Sequence, residues 1–280
     1  MANIIYILLT MLIFCSCDRF EFSGFFPFID KNVDDRYEES ALIDMPHDIN
    51  VASNEYKLYV CGDTHYDGDI SYFSDFIHIA NKDSLCCVIL HAGDIVEKDG
   101  NMSIFKNEFD KIYAENSYKL PLLYTVGNHD LFFEQWDEFI SYFGSSTYKL
   151  NIKGVNYYDA LISIDSGSGT IGKKQRKWLE SQLKNHENYR YIIVLTHTNF
   201  WDTDNSQAPS GGFSVEESLL LSNLFAENDV DLVITGHDHH WDDTSFRGVR
   251  YITLDAMEIN GEYAIVNCNT KGISIKAIKK

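Results

Sequence analysis

Five short apolar runs in this chain stop in the same way, at a Gly or Thr followed by Asp, Asn or His. They read LYVCGDTH at 58–65, CVILHAGD at 87–94, LLYTVGNHD at 122–130, YIIVLTH at 191–197 and DLVITGHDHH at 231–240. Runs of this length rich in Val, Ile and Leu suit strands buried on both faces. Helical patterns lie between them, over 69–81, 102–115, 131–143, 174–184 and 215–227. In the first, Ile70, Phe73, Ile77 and Ala80 fall on one side; the last opens on Ser214 with Glu217 three residues on, a capping-box start. Strand–helix alternation predicts an α/β fold. Such folds gather ligands beyond the carboxyl ends of their strands. The chain therefore delivers its Asp, Asn and His side chains to one edge.

Both ends of the sequence read differently. Beyond residue 249 the pattern changes to YITLDAM, EYAIVNC and ISIKAI, with Asn260-Gly261 as a tight-turn pair. Strands of a second, more antiparallel sheet are expected there. Residues 4–14, IIYILLTMLIF, form an apolar run too short for a bilayer span of roughly 20 residues. The run suits the apolar core of a secretory signal. The Phe14-Cys15-Ser16-Cys17-Asp18 after it resembles a bacterial lipoprotein cleavage box, and small Ser16 makes Cys17 the better acylation candidate. We expect a signal peptide over 1–16, a lipid-anchor tether over 17–53 that partly packs on the domain, and one domain over 54–280. The protein would then be exported and lipid-anchored to a bacterial membrane, on its periplasmic or cell-surface face.

In order, the five blocks are Asp63-x-His65, Gly93-Asp94, Gly127-Asn128-His129-Asp130, His197 and Gly236-His237-x-His239. Gly-Asp alone occurs by chance everywhere. Five blocks in order, each at an expected strand end, are specific. Over residues 56–268 the chain closely resembles the calcineurin-like metallophosphoesterase superfamily. SIDSG followed by Gln175, Trp178-Leu179 and Leu183 adds to the likeness. The resemblance implies an α/β fold of two mixed β-sheets packed face to face and flanked by helices, a four-layer α-β-β-α sandwich.

The chemistry explains these residue types. A phosphoester is negatively charged and repels hydroxide. Two divalent cations about 3.5–4 Å apart neutralise the phosphoryl oxygens and make a bound water nucleophilic. Two like cations that close need a bridging anion, and the resemblance assigns that bridge to Asp94. It places Asp63, His65 and His239 with Asp94 on one metal, and Asn128, His197 and His237 with Asp94 on the other. Imidazoles mixed with carboxylates suit two transition metal ions, Mn, Fe or Zn. The resemblance makes His129 a catalytic residue that binds no metal and stabilises the transition state or protonates the leaving oxygen. Asp130 beside it is expected to orient it.

Other features have blander readings. His91 lies three residues before Asp94 on the same strand, so alternation points it to the opposite face, in a packed role. His240 reads as a neighbour of the site or part of its rim, and His47, His78 and His186 as ordinary surface or packing residues. Gly167-Ser-Gly169-Thr-Ile-Gly172 spells GxGxxG, but Lys174 stands where a phosphate loop needs Ser or Thr, so a glycine-rich turn into the next helix is favoured. Cys61, Cys86, Cys87 and Cys268 read as buried free thiols; six cysteines in 280 residues make no disulfide scaffold. Phe200, Trp201 and Trp241 follow ligand blocks, and either rim the site or pack their loops.

Charge narrows the function classes. A net charge of -19 repels phosphate backbones, so stable nucleic-acid binding is not expected. Bound cations reverse the sign locally, which leaves phosphorylated small molecules or nucleotides as substrates. The expected activity is a metal-dependent phosphatase or phosphodiesterase, with a water activated at the dinuclear centre as nucleophile. Glu97 stands where the purple-acid-phosphatase branch would have Tyr, so that branch is disfavoured. The alternative is a non-catalytic, surface-anchored interaction protein on the same fold. No cap domain is visible, and substrate choice falls to loops near 66–72, 130–136, 199–213 and 240–246.

Overall fold

The computed structural model describes residues 31–97, 101–201 and 212–279. Its strands are β1 (Asp48–Asn50), β2 (Tyr56–Cys61), β3 (Cys86–His91), β4 (Leu122–Tyr124), β5 (Tyr148–Lys153) and β6 (Tyr158–Ser163). They continue with β7 (Ile192–Leu195), β8 (Leu232–Thr235), β9 (Asp242–Phe246), β10 (Val249–Thr253), β11 (Tyr263–Asn269) and β12 (Gly272–Ile278). The helices are α1 (Val33–Ser40), α2 (Ser71–Lys82), α3 (Asn101–Asn116), α4 (Trp136–Phe143), α5 (Lys173–Leu183), α6 (Val215–Glu227) and α7 (Met257–Asn260).

One sheet has seven strands, in the order β1-β5-β6-β7-β8-β10-β9; the other has five, in the order β12-β11-β2-β3-β4. Leu58, Val60, Val88, Leu90, Leu150, Ile193 and Ile234 fill the space between them. Strand alternation sends the intervening residues outward. Tyr59 and Ile89 meet Phe76 and Ile77 of α2 and Phe105 of α3. On the far side Val194 and Val233 meet Leu179 of α5 and Leu221 and Phe225 of α6. Both faces of the central strands are therefore covered, which is why their sequences run apolar without alternation. This is the expected four-layer arrangement of helices outside two mixed sheets.

The layers position the five blocks. β2, β3 and β4 are mutually parallel in the five-stranded sheet, and β7 and β8 are parallel in the other. The loops after all five strands meet across the inter-sheet seam: His197 Nδ1 lies 2.9 Å from the carbonyl of Ala92, and the N–H of His237 donates to Asp63.

Several local expectations are corrected. The strand ends are not among these: they fall at Cys61, His91, Tyr124, Leu195 and Thr235, just before the polar residues, as the runs predict. After β2, β3 and β8 the backbone itself leaves the ladder: Asp63, His65, Asp94, His237 and His239 all have positive φ, between 38° and 79°. The helix expected over 131–143 is a 3-10 turn over His129–Glu134 and then α4, because Phe132 is extended and Phe133 left-handed (φ 59°). The segment after 249 is not one new sheet. β10 joins the seven-stranded sheet parallel to β8, while β11 and β12 add antiparallel strands to the sheet of β2. Asn260-Gly261 ends α7, with Gly261 left-handed, and makes no hairpin.

From residue 31 onward, the segment expected as a tether is built into the domain. β1 pairs in parallel with β5. α1 buries Val33 and Arg36, and Arg36 Nε donates to Asp165 Oδ2 at 2.8 Å with both side chains fully buried. Gly172 starts α5 at φ +66°, and a Cβ there would stand 2.6 Å from Val33; the GxGxxG stretch is thus a turn on which α1 packs. Residues 1–30, with the apolar run, Cys15 and Cys17, lie outside the described residues. Among the described residues no helix is long and apolar enough to cross a membrane.

Candidate metal centre

The blocks converge into two donor sets that share one carboxylate. Asp63, His65, Asp94 and His239 form the first; Asp94, His197 and His237 form the second. One oxygen, Asp94 Oδ2, lies 3.6 Å from His65 Nε2 and 3.4 Å from His197 Nε2. In the first set His65 Nε2 and His239 Nε2 are 3.0 Å apart, and Asp63 Oδ1 is 3.5 Å from His239 Nε2. In the second, His197 Nε2 is 3.2 Å from His237 Nδ1 and 3.0 Å from Asn128 Oδ1. Asp63, Asp94 and His197 are buried; His239 keeps a side chain one-third exposed, on the open side.

The donor set fits cations by its tautomers. His65 Nδ1 faces Glu97 Oε2 at 2.8 Å, and His197 Nδ1 faces the Ala92 carbonyl at 2.9 Å. A proton on each Nδ1 satisfies those acceptors and leaves lone pairs on both Nε2 atoms, the arrangement of metal-ligating histidines. Lone pairs converging at about 3 Å repel one another unless a cation or a proton lies between. With protein groups alone, the proton takes that role. Burial works against charge on His197, but the Asp94 carboxylate outweighs it and raises the imidazole to about 9. Burial alone would raise Asp94, yet His197 and His65 hold it well below the usual carboxylate range. The Asp63 carboxylate raises His239 above its ordinary value.

The backbone beneath this set is strained and tightly held. Non-glycine residues at positive φ are uncommon and cluster at functional sites; five of the seven expected ligands have that conformation. Gly236 lets the two loops touch, since a Cβ there would lie 2.4 Å from Asp63 Oδ2. Ser166 Oγ accepts the N–H groups of His197 and Thr198 at 3.2 and 2.8 Å, which orders the His197 loop. His91 is fully buried behind the site, 3.1 Å from Thr64 Oγ1, and burial pushes it down to about 3; its packed role stands.

Asp130 does not orient His129. Its two oxygens accept backbone N–H groups from Asp94, Gly127, Ile95 and Val96 at 2.8–3.3 Å, stapling the loop after β3 to the loop after β4. Burial, then the nearby Asp94 charge, push its carboxyl up. The residue beside His129 is Glu97, with Oε2 3.2 Å from His129 Nδ1, though not aligned for a hydrogen bond. One carboxylate thus serves both His65 and His129, whose rings meet edge to face at 4.5 Å. Its place three residues after Asp94 was the sequence signal for it. The His129 N–H donates to Asp94 Oδ1 at 2.8 Å.

The remaining candidates fall outside the donor sets. Phe200 packs on Phe213, Phe225 and Tyr251, and Trp201 on Phe246 and Tyr251, so both are loop packing. Trp241 packs against the inter-sheet core. His240 Nδ1 turns to the Asp238 carbonyl at 3.1 Å. Cys61, Cys86, Cys87 and Cys268 are buried free thiols, all pushed up by burial.

The family model of the calcineurin-like phosphoesterases matches residues 56–241. Among solved structures, GAP50, the anchor in the inner membrane complex of Plasmodium, is similar at TM-score 0.63 and 17% identity, over 80% of this chain and 84% of that one. A dimetal phosphatase from Danio rerio is similar at TM-score 0.58 and 13% identity, over 80% and 98%. A purple acid phosphatase from yellow lupin seeds is similar at TM-score 0.61 and 12% identity, over 82% of this chain and 52% of that one. At these identities the likeness is one of fold. No curated protein gives a significant match.

Proposed function

The chain belongs to the calcineurin-like phosphoesterase family, and on that premise we propose that it is a dimetal hydrolase of phosphoesters. The observation that carries this reading is Asp94 Oδ2, held between two histidine-bearing donor sets. Asp63, His65 and His239 would hold one cation with Asp94; Asn128, His197 and His237 would hold the other with it. Bound cations would neutralise phosphoryl oxygens and acidify a water.

The chain's own groups do the rest. Asp130, Ser166 and Gly236 keep the loops registered, so the donors are preorganised rather than gathered by the ligand. Glu97 holds a proton on Nδ1 of His65 and steers the His129 ring from 3.2 Å. His129, about one-quarter exposed, stands at the open side, where its other ring nitrogen can protonate a departing alkoxide.

The fold of GAP50, a protein described as an anchor, supports a second reading, a surface-anchored interaction module without turnover. One experiment separates the two. The chain is reconstituted with Mn, Fe and Zn separately, metal per chain is measured, and a panel of phosphomonoesters and phosphodiesters is assayed. Two metals per chain with turnover of any ester supports the hydrolase; a chain that holds no metal and turns over nothing supports the module. We also propose that the protein is exported after cleavage over 1–16 and acylated at Cys17. Labelled palmitate incorporated by the wild type but not by Cys17→Ala would support this, and labelling that persists in the variant would end it.

A further inference from the structure

A cavity of about 220 Å³ opens directly beside His65, between the loop after β2, the start of α2, and α7. Its inner end is Thr64 and His65, so a group seated in it lies next to the first donor set. One wall is aromatic, built by Tyr72 and buried Phe73. Among the described residues, the charged groups that line it other than His65 are Asp67, Asp69 and Glu258, with no Lys or Arg.

These walls are fixed. The Glu258 N–H donates to the Asp63 carbonyl at 3.2 Å and the Met257 N–H to the Gly62 carbonyl at 3.1 Å, so α7 is tied to the loop that carries a donor. The Tyr72 ring lies against Gly261, where a Cβ would meet it at 2.7 Å. Asp69 Oδ1 accepts the N–H of Ser71 at 2.8 Å and pins the turn into α2. Glu258 Oε1 stands 3.8 Å from His239 Nδ1, close to the first donor set.

We propose that this cavity receives the leaving group and selects a compact cationic head, so that the substrates are phosphoesters of amino alcohols, quaternary ammonium alcohols included. The inference rests on the hydrolase reading above. Carboxylates at the mouth attract a cation, and an aromatic face holds an ammonium by its quadrupole. The two charges of such a substrate find opposite surroundings: phosphate at the donor sets, ammonium among acids and rings. A second phosphate would meet only like charge. An inorganic cation would gain nothing from Tyr72, Phe73 and Ile70.

The test has a catalytic arm and a binding arm. In the first, kcat/KM on the metal-loaded chain is compared for phosphocholine and for 3,3-dimethylbutyl phosphate, its uncharged isostere, with p-nitrophenyl phosphate as the internal reference. The expected preference for the cationic ester is about tenfold or more. It should fall towards unity in Asp67→Asn and in Tyr72→Leu, read as a ratio of esters so that partial misfolding cancels. In the second arm, saturation-transfer NMR follows tetramethylammonium and choline against 3,3-dimethylbutanol, with and without metals. Binding of the cations alone, lost in Tyr72→Leu, supports the pocket independently of turnover. Equal hydrolysis or equal binding of the neutral isostere overturns the proposal, as does stoichiometric displacement of tetramethylammonium by Ca²⁺, which would mark an inorganic site. If p-nitrophenyl phosphate and the rest of the panel are inert, the hydrolase reading fails, and the binding arm still decides the pocket.

Discussion

Arg36→Met removes one half of an ion pair that is fully buried on both sides. In the native protein Nε and Nη2 of Arg36 reach the two oxygens of Asp165 at 2.8 and 3.1 Å. Nη2 also donates to Ser168 Oγ at 2.9 Å, and Nη1 to the Lys31 carbonyl at 2.7 Å. After the change Asp165 keeps the N–H of Gly167, at 3.1 Å. A buried carboxylate left with one neutral donor is the case in which breaking a pair from one side costs about 3–5 kcal/mol. Arg36→Met together with Asp165→Leu leaves no orphaned charge, and should recover a large part of that loss. Urea unfolding of the wild type, both single variants and the double variant gives the four corners of the cycle. The effect should also reach the site, because Asp165 adjoins Ser166, whose Oγ orders the N–H groups of His197 and Thr198. Weaker metal binding in Arg36→Met, seen by titration at a urea-free temperature where the variant is folded, is therefore expected. A loss under about 1 kcal/mol, or a double variant worse than the two singles added, would refute the claim that α1 is a working part of the domain.

Four further outcomes are expected. Asp94→Ala should lose both metals and Asp63→Ala mainly one, by elemental analysis; two metals retained in Asp94→Ala would sink the shared carboxylate. His129→Ala should keep both metals and lose about 10²–10⁴-fold in turnover, more for an alkyl ester than for a nitrophenyl ester whose leaving group needs little protonation; an equal loss for both would limit His129 to positioning phosphate. Glu97→Gln should cost about 10–100-fold in metal affinity or in kcat, because its carboxylate serves His65 and His129 together; a variant unchanged in both leaves Glu97 without a role. In chelated protein, His197 is raised from 6.5 to about 9, so its contribution to stability is complete below pH 6.5 and lost as pH rises through about 9. Cations must displace that proton, so metal binding at pH 7 should release protons to the buffer and strengthen towards pH 9; affinity independent of pH would contradict this.

What could be read early was local. α6 spans Val215–Glu227, the range its pattern predicts, and Ser214 Oγ accepts the N–H of Glu217 at 3.2 Å, since a cap involves only neighbours in sequence. The Glu217 carboxylate also reaches out of the helix. It accepts the N–H of Ile171 from another segment, a partner that no spacing within the helix could indicate. His91 could be placed by strand alternation for the same local reason. Asp130 could not: it adjoins His129 in sequence, but four buried N–H groups from two loops claim its oxygens.

From the order of residues alone came the strand–helix alternation, the five blocks and the donor chemistry, because apolar runs, caps and ligand types are properties of short segments. Only the tertiary structure decided which strand lies in which sheet, and so that β10 runs beside β8 while β11 and β12 extend the sheet of β2. It also decided that Glu97 stands between His65 and His129, that Arg36 reaches Asp165 across 129 residues of chain, and that an acidic, aromatic cavity opens beside His65. Each of these depends on which distant surfaces are brought together as the layers pack. That is set by the summed burial of two cores and an inter-sheet seam, which no local pattern encodes.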